Sequence, residues 1–283
     1  MKIAAMAAHF GRDIDRSMEK LGGIIDRLRQ EQIDLLVLPD ATLGGYIGSL
    51  SNPSPGERPP ALDPDGPELQ ALCAMSGPMT VCVGYAEQGD GGQIYNAAAC
   101  LSGDGILGRH RKVHQPAQES LIYAAGERFD PFDTPVGRIG MLIDYDKTFP
   151  ESARTLALGG AQIIAALSAW PASITDRAAR MPNDRQARLF DLYDMARAAE
   201  NQVVLASSNL TGITGTLRFL GQAKIVDPGG NVVAKTWSKG GLAVADIDVA
   251  AEIDRARAVL NHLRERQTAA YHVADDHPSL AGP

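Results

Sequence analysis

The chain has 283 residues, of which 45% are apolar and 22% are charged, a globular composition that argues against a disordered chain. Its 34 acidic against 27 basic residues give a formal charge of −7, which argues against nucleic acid or an anionic membrane as the main partner. The length suits one large domain or two small ones, with a core that needs no disulfide or metal.

The sequence shows no recognisable targeting or membrane segment. Residues 1–4 run into a strand-like segment without a secretory cleavage site, and no apolar run approaches the roughly 18 residues of a membrane span. The three cysteines, Cys73, Cys82 and Cys100, lack metal-ligand spacing. We therefore expect a cytoplasmic protein with reduced, buried thiols.

Strand-like and helix-like segments alternate through the first half. Leu21, Ile25 and Leu28 recur at spacings of three and four, which predicts a helix with one buried face. The apolar run that ends at Pro39 is typical of a fully buried strand. The predicted elements are strand Lys2–Ala8, helix Ile14–Gln30, strand Asp34–Pro39, an irregular proline-rich loop 51–67, a helix near 67–77, and strands Thr80–Tyr85 and Tyr95–Ser102 on either side of a glycine-rich turn at 89–92.

The second half continues in the same style. Pro150 and Glu151 suit the first turn of a helix, and Asp-Pro-Gly-Gly-Asn at 227–231 predicts a hairpin turn. The predicted elements are strand Arg138–Ile143, helix Phe149–Leu158, strand Gln162–Leu167, helix Asp184–Asn201, strands Val203–Ser207, Lys224–Val226, Val232–Lys235 and Leu242–Ile247, and a tail helix Glu252–Arg266. This alternation predicts an α/β layered domain, with a tail that is either disordered or an arm on a neighbouring subunit.

Four polar residues stand out as candidates for chemistry. Asp40 and Asp144 each follow directly on an apolar strand, Lys112 lies in a basic run, and Glu119 comes seven residues later. In open α/β sheets, sites form beyond the carboxyl ends of the strands. Polar residues placed there, such as Asp40 and Asp144, are therefore candidates for function.

The order and spacing of these segments resemble the carbon–nitrogen hydrolase (nitrilase) superfamily over nearly the whole chain. The segments that carry the resemblance are Leu38-Pro39-Asp40 with Gly45-Tyr46, Tyr95-Asn96, His110-Arg111-Lys112-Val113-His114, Glu119 before Gly126, Asp144-Tyr145-Asp146-Lys147-Thr148-Phe149-Pro150-Glu151, Ser168-Ala169-Trp170-Pro171, Arg197-Ala198-Ala199-Glu200-Asn201, Asn209 with Gly212, Phe219-Leu220-Gly221, and Ile225-Val226-Asp227-Pro228-Gly229-Gly230.

The resemblance implies a four-layer α-β-β-α sandwich over residues 1–250, and a homodimer or higher homo-oligomer formed through helices. We expect residues 251–283 to form a C-terminal arm or tail at the oligomer interface. It also implies a Glu–Lys–Cys catalytic set, of which only Lys112 and the second glutamate, Glu119, are retained. Asp40 stands in place of the general-base Glu, and Asp144 in place of the nucleophilic Cys.

These two replacements exclude ordinary thioester chemistry. A carboxylate is a weak nucleophile toward an amide, and its attack would give a mixed anhydride, a poorer intermediate than a thioester. Asp40 is also one methylene shorter than Glu, which withdraws its carboxylate by roughly 1.5 Å. The three cysteines lie in a predicted helix and two apolar strands, where the expected role is that of a small buried hydrophobe.

The predicted pocket holds three carboxylates and one lysine. Crowded carboxylates raise one another's pKa, so at least one is expected to be protonated near neutral pH. An ionised carboxylate could then activate water while a protonated neighbour supplies a proton. The surplus of carboxylates also suits a cationic ligand such as an amine, amidine or guanidine. No metal site is expected, because the sequence lacks metal-ligand spacing and Lys112 would repel the ion. The glycine cluster at 89–92 predicts a hairpin rather than a phosphate-binding loop. No cofactor is expected.

Three functional hypotheses remain open at this point. The first is an enzyme that acts on a small molecule at a carbonyl or C–N centre, with Asp40, Lys112, Glu119 and Asp144 in acid–base roles. The second is a catalytically silent relative that binds a small ligand or partner, in which Asp144 is only the ion-pair partner of Lys112. The third is a hydrolase whose two residues were replaced by design. In each, Tyr46, Tyr145 and Trp170 are expected to line the pocket, and Asp146 to be a buried structural residue.

Overall fold

The computed structural model describes residues 1–54, 56 and 58–271. Within them the strands are β1 Lys2–Ala8, β2 Leu35–Val37, β3 Thr80–Gln88, β4 Ile94–Ser102, β5 Gly105–Arg111, β6 Phe132–Thr134, β7 Gly137–Ile143, β8 Ile163–Leu167, β9 Val204–Ser207, β10 Asn209–Leu210, β11 Ile213–Thr214, β12 Leu217–Arg218, β13 Lys224–Val226, β14 Val232–Lys235 and β15 Gly241–Asp246. The α-helices are α1 Ile14–Gln30, α2 Pro67–Ser76, α3 Pro150–Leu158, α4 Arg185–Asn201 and α5 Val249–Arg257.

Two mixed sheets form the inner layers of the fold. Among the described residues, the first sheet has the order β10-β1-β2-β3-β4-β5, with β15 also paired to β1. The second has the order β14-β13-β9-β8-β7-β6. Strands β1, β2 and β3 run parallel to one another, and so do β7, β8 and β9. The segments that follow β2 and β7, which carry Asp40 and Asp144, therefore leave their sheets at carboxyl ends of parallel strands.

Three apolar clusters hold the layers together. The middle cluster joins the two sheets, with residues such as Ile3 and Val37 from the first and Met141 and Ile163 from the second. A second cluster packs α1 and α2 on the outer face of the first sheet, and a third packs α3 and α4 on the second. The result is the four-layer α-β-β-α sandwich that the sequence predicts.

Local sequence explains where the main helices begin and which face they bury. The Asp13 side chain accepts a hydrogen bond from the Arg16 backbone N–H at the start of α1, and Leu21, Ile25 and Leu28 form its buried face. Asp184 caps α4 in the same way, through the backbone N–H of Gln186. No helix in the described part of the chain is long and apolar enough to span a bilayer.

The structure differs from the sequence predictions at several elements, most of all at β5 and at the tail helix. Strand β5 was not predicted, because its glycines and basic side chains interrupt the alternation of apolar and polar residues that indicates a half-buried strand. The tail helix is α5, Val249–Arg257, and not Glu252–Arg266. Asp248 caps its start, and the Gln202 side-chain amide donates to the carbonyl oxygens of Ala256 in its last turn and of Leu260 beyond its end. The predicted tail beyond residue 271 lies outside the described residues.

Gly84 on β3 supports the turn that carries Asp40. A Cβ at Gly84 would lie 2.7 Å from the Asp40 Cα and 2.7 Å from the Ala41 backbone nitrogen. Gly84→Ala should therefore displace this turn and lower the free energy of unfolding by about 1–3 kcal/mol, measured by urea denaturation. Gly11→Ala is the control, because a Cβ there meets no atom within 4 Å. Equal stability of the two variants would contradict this close approach.

Candidate functional site

Lys112 lies at the centre of the site. It directly follows β5, and its backbone N–H donates to the carbonyl of Asn96 at 2.8 Å. Its side chain is fully buried, and Nζ lies 2.7 Å from Glu119 Oε2 and 3.3 Å from Asp144 Oδ2. Burial lowers the pKa of Lys112, but the charges of Glu119, Asp144 and Asp40 outweigh it and hold that pKa above its ordinary value. The lysine is therefore a permanent buried cation.

Glu119 has partners for both carboxylate oxygens. The Tyr46 hydroxyl donates to Oε1 at 2.8 Å, the Asn96 amide lies 3.4 Å from the same atom, and Lys112 occupies Oε2. Burial raises the pKa of Glu119, and Lys112 opposes that rise. Because its hydrogen bonds are already made within the protein, Glu119 is placed to orient Lys112.

Asp40 follows β2 and is fully buried. Asn96 Nδ2 donates to its Oδ2 at 3.0 Å, whereas Oδ1 has no hydrogen-bond partner among the described residues. Burial raises the pKa of Asp40 to about 7, the charges of Asp144 and Glu119 add to the rise, and Lys112 opposes it. Asp40 is therefore poised to gain or lose a proton near neutral pH. Asn96, which sequence reasoning noted in a motif but did not assign to the site, holds both Asp40 and Glu119.

Asp144 follows β7 and borders a cavity. It is 4% exposed, Oδ2 pairs with Lys112, and Oδ1 has no partner within the described residues. Its φ of +50° lies in the left-handed region, as do those of Ala41 and Ala117, which flank the Asp40 and Glu119 segments. Unusual backbone conformations of this kind cluster at functional sites, because the surrounding structure must hold them.

Asp146 fixes the turn that begins at Asp144. Its carboxylate lies 2.9 Å from His110 Nε2 and 3.0 Å from His114 Nδ1, and it accepts the backbone N–H of Ile143 at 3.2 Å. Burial raises the pKa of Asp146, but the hydrogen bonds from the two histidines outweigh it and hold that pKa well below its usual range. This geometry fits the buried structural role expected for Asp146.

A second buried charge cluster, not predicted from the sequence, lies behind the turn. Asp194 on α4 accepts from Lys147 Nζ and from Lys224 Nζ, each at 2.7 Å, and all three side chains are buried. Burial lowers the pKa of Lys147 to about 8, and Asp194 opposes that fall. Arg197 adds hydrogen bonds to the carbonyls of Lys147 and Thr148. The helix α4 thus holds the Asp144 turn from behind.

The cavity beside Asp144 has a volume of about 430 Å³ and mostly apolar walls. Its lining includes Leu50, Ser51, Pro116, Asp144, Tyr145, Trp170, Pro171, Ala172, Ser173, Ile174, Thr175 and Gln186. Tyr145 and Trp170 are among these residues, whereas Tyr46, which the sequence also assigned to the pocket, is 1% exposed and is not among them. A larger cleft of about 520 Å³, near Asp34 and Met79, lies at the opposite end of β2 from Asp40.

The described residues hold no cluster of histidine, cysteine, aspartate and glutamate suited to a metal ion. The three cysteines are buried away from the cavity lining. Cys82 on β3 and Cys100 on β4 lie opposite each other in the cluster between the sheets. Cys73 lies in the cluster under α1 and α2. None of the three takes the position of a nucleophile beside Lys112.

This combination of a layered α/β sandwich and a buried lysine among carboxylates agrees with the comparison to known families. The sequence model described as carbon-nitrogen hydrolase matches residues 2–257. The chain belongs to the carbon–nitrogen hydrolase (nitrilase) superfamily.

Several relatives are similar over most of their length. A Pseudomonas protegens protein named "Hydrolase in pqqF 5'region" is 30% identical over 267 residues, 89% of this chain and 86% of that protein. The (R)-stereoselective amidase of a Pseudomonas species is 28% identical, with 87% and 84% covered. The omega-amidase of Bos taurus is also 28% identical, with 80% and 81% covered.

Solved structures share the fold at low sequence identity. A carbon-nitrogen hydrolase from Helicobacter pylori superposes with a TM-score of 0.80 at 21% identity, covering 96% of each chain. A variant of the amidase from Nesterenkonia sp. AN1 gives a TM-score of 0.74 at 20% identity, with 95% and 94% covered. That variant carries an acetamide moiety on its active-site cysteine. In this chain the motif position expected to hold the cysteine is Asp144.

The raised pKa of Asp40 makes a prediction about stability. Because its folded pKa of about 7 lies above the unfolded value, protonated Asp40 favours folding at low pH, and this contribution is lost as pH rises through about 7. Relative to Asp40→Asn, which does not titrate, the wild type should lose roughly 2–3 kcal/mol of unfolding free energy between pH 5 and 8. Urea denaturation at several pH values measures the difference. A constant difference across this range would contradict the assignment.

Proposed function

We propose that the protein is a hydrolase-like enzyme that acts on a small molecule at a carbonyl or C–N centre, through acid–base chemistry rather than a cysteine thioester. The observation that carries the proposal is Asp144, a residue that borders the cavity, whose buried Oδ1 has no hydrogen-bond partner among the described residues and whose Oδ2 pairs with the cation of Lys112. A buried acceptor without a donor is costly, so a donor from bound water or substrate would stabilise it.

Each of the four site residues has its own role in the proposed reaction. Asp144 takes a proton from a water as the water oxygen bonds to the substrate carbon. Lys112 stabilises the negative charge that develops on the substrate, and Glu119 holds Lys112 in place. Asp40 protonates the leaving group as the C–N bond breaks, and it regains a proton from Asp144. One water is consumed, and the site returns to its starting protonation state.

Asp40 suits the role of proton carrier because its pKa of about 7 matches neutral conditions. A group with this pKa can both give and accept a proton without a large free-energy cost at either step. The alternative role for Asp144, direct attack on the substrate, would require an anhydride intermediate. The Lys112 ion pair disfavours that route, because it further weakens the carboxylate as a nucleophile.

A ligand-binding protein without catalysis is the second candidate function. The Lys112–Asp144 ion pair favours it, because the two groups that would act on substrate already neutralise each other in part. In that case the same cavity holds a small, cationic ligand or a partner group. For either function we propose a cytoplasmic protein, which the three buried free cysteines fit. We also propose that it does not bind nucleic acid.

Turnover by wild type and Asp144→Asn distinguishes the two functions. Asn tolerates the left-handed backbone at this position, so the variant should fold, and loss of a general acid–base group should lower turnover about 10²–10⁴-fold. Mass spectrometry would follow a panel of small amides, nitriles, carbamoyl compounds, esters and amidines. Asp104→Asn, at an exposed turn, is the matched control. Undiminished turnover in a folded Asp144→Asn protein would contradict the enzymatic proposal.

We also propose that the domain of residues 1–250 forms a homodimer or higher homo-oligomer, with the arm of residues 251–283 at the interface. Leu192 and Met195 on α4 are partly exposed, and so are Val259 and Leu260 on the arm. The arm is tied to the end of α4 by hydrogen bonds from the Gln202 side-chain amide to the carbonyl oxygens of Ala256 and Leu260. Covering such residues with a second copy would remove apolar area from water.

Sedimentation at micromolar concentration measures this association. The wild type should sediment as a dimer or larger species, and Leu192→Asp should shift it toward monomer because a charge would be buried without a partner. Ile213→Asp, which changes an exposed apolar residue on the β11–β12 hairpin, is the control. A wild-type monomer would overturn the proposal.

A further inference from the structure

The cavity beside Asp144 combines apolar walls with one unsatisfied carboxylate oxygen. Oδ1 of Asp144 has no hydrogen-bond donor within the described residues, and Asp144 itself is 4% exposed. A thiol at this position would select a substrate by its electrophilic carbon. A carboxylate instead selects a group that can donate a hydrogen bond, because only a donor satisfies the bare oxygen. The required ligand group is therefore an N–H or O–H.

The charge balance around Asp144 favours a cationic donor. Lys112 lies closer to Glu119, at 2.7 Å, than to Asp144, at 3.3 Å, so much of its charge is compensated by Glu119. The nearby Lys147 is paired with Asp194 at 2.7 Å. Asp144 thus adds a carboxylate whose charge is only partly compensated. Hydrogen bonds between ionised partners are roughly twice as strong as neutral ones.

The cavity walls suit an apolar or aromatic body attached to that cation. Leu50, Pro116 and Ile174 supply apolar surface, and Tyr145 and Trp170 supply aromatic rings that attract cations through their faces. A volume of about 430 Å³ accommodates a ring with a small polar head group. Among the described residues that line the cavity, Asp144 is the only charged one, so we expect a ligand with one charged end.

We propose that the substrate of this site is an amidinium or guanidinium group on an apolar body, in place of the neutral amide of a cysteine-dependent amidase. This inference rests on the proposed function, since it names the substrate class of the same site. An amidinium presents parallel N–H donors to the Asp144 carboxylate, and its central carbon is electrophilic. One group therefore satisfies both the bare oxygen and the need for a reacting carbon.

The corresponding reaction is the hydrolysis of an amidinium to an amide. A water oxygen bonds to the amidinium carbon while Asp144 takes one water proton. Asp144 returns this proton to one nitrogen, and the C–N bond to that nitrogen breaks to release ammonia. The added oxygen becomes the amide carbonyl as its remaining proton passes to the ammonia, which leaves as ammonium. Amidinium and water give amide and ammonium, with atoms and charge conserved and without an oxidant or reductant.

Paired probes of similar shape test the inference. Benzamidine and benzamide differ in charge and in donor number but have nearly the same size. Isothermal titration calorimetry with the full chain should show benzamidine binding at least about tenfold more tightly than benzamide, a difference of about 1.4 kcal/mol. Asp144→Asn should remove this preference, and Asp104→Asn should retain it. Equal binding, or a preference that survives in Asp144→Asn, would overturn the inference.

Mass spectrometry of the same mixtures separates this inference from the proposed function. Asp144-dependent turnover of neutral amides or esters, without preference for benzamidine, would leave the enzymatic proposal intact and overturn the substrate class. Asp144-dependent binding of benzamidine, without turnover of any compound in the panel, would support the cationic ligand class and overturn the hydrolase. Formation of benzamide and ammonium from benzamidine, lost in Asp144→Asn, would support both.

Discussion

The ammonium group of Lys112 is the interaction on which the site depends. It lies without solvent contact at the end of β5, bound to Glu119 and paired with Asp144. A buried cation is tolerated only where carboxylates compensate it, and crowded carboxylates in turn cannot all ionise without one. Burial raises the pKa of Asp40 to about 7, and the charges of Asp144 and Glu119 add to that rise against the opposing charge of Lys112. Asp144, at the motif position expected to hold a cysteine, therefore also bears on the protonation of Asp40.

The outer helical layer supports this arrangement from behind. Asp194 on α4 binds Lys147 in the turn that begins at Asp144, and Arg197 binds the carbonyls of that turn. Asp146 holds the same turn from the side of the first sheet through the histidines that flank Lys112. These contacts explain how a non-glycine residue keeps a left-handed backbone at the cavity wall. A fixed carboxylate with one bare oxygen is a preorganised acceptor, which is what acid–base catalysis and recognition of a cation both require.

Sequence patterns predict much of this fold because its elements have strong local signals. The helix α1 and the hairpin strands β13 and β14 have the predicted bounds, since capping, apolar spacing and turn chemistry all lie within a few residues. Motif order predicted that Lys112, Glu119 and Asp144 would meet. The pairing of Lys147 and Lys224 with Asp194 could not be predicted, because it joins three distant segments. One signal of this cluster is present in the sequence: a lysine, Lys224, begins the otherwise apolar strand β13.

Asp40 is expected to exchange its proton near neutral pH beside the charged Lys112. The most direct measurement is a carbon-13 NMR titration of the aspartate side-chain carboxyl carbons in the folded protein, with Asp40 assigned by comparison with Asp40→Asn. The account predicts one buried carboxyl that titrates near pH 7 and is missing from the spectrum of that variant. An Asp40 resonance that stays in one protonation state from pH 5 to 8 would contradict it.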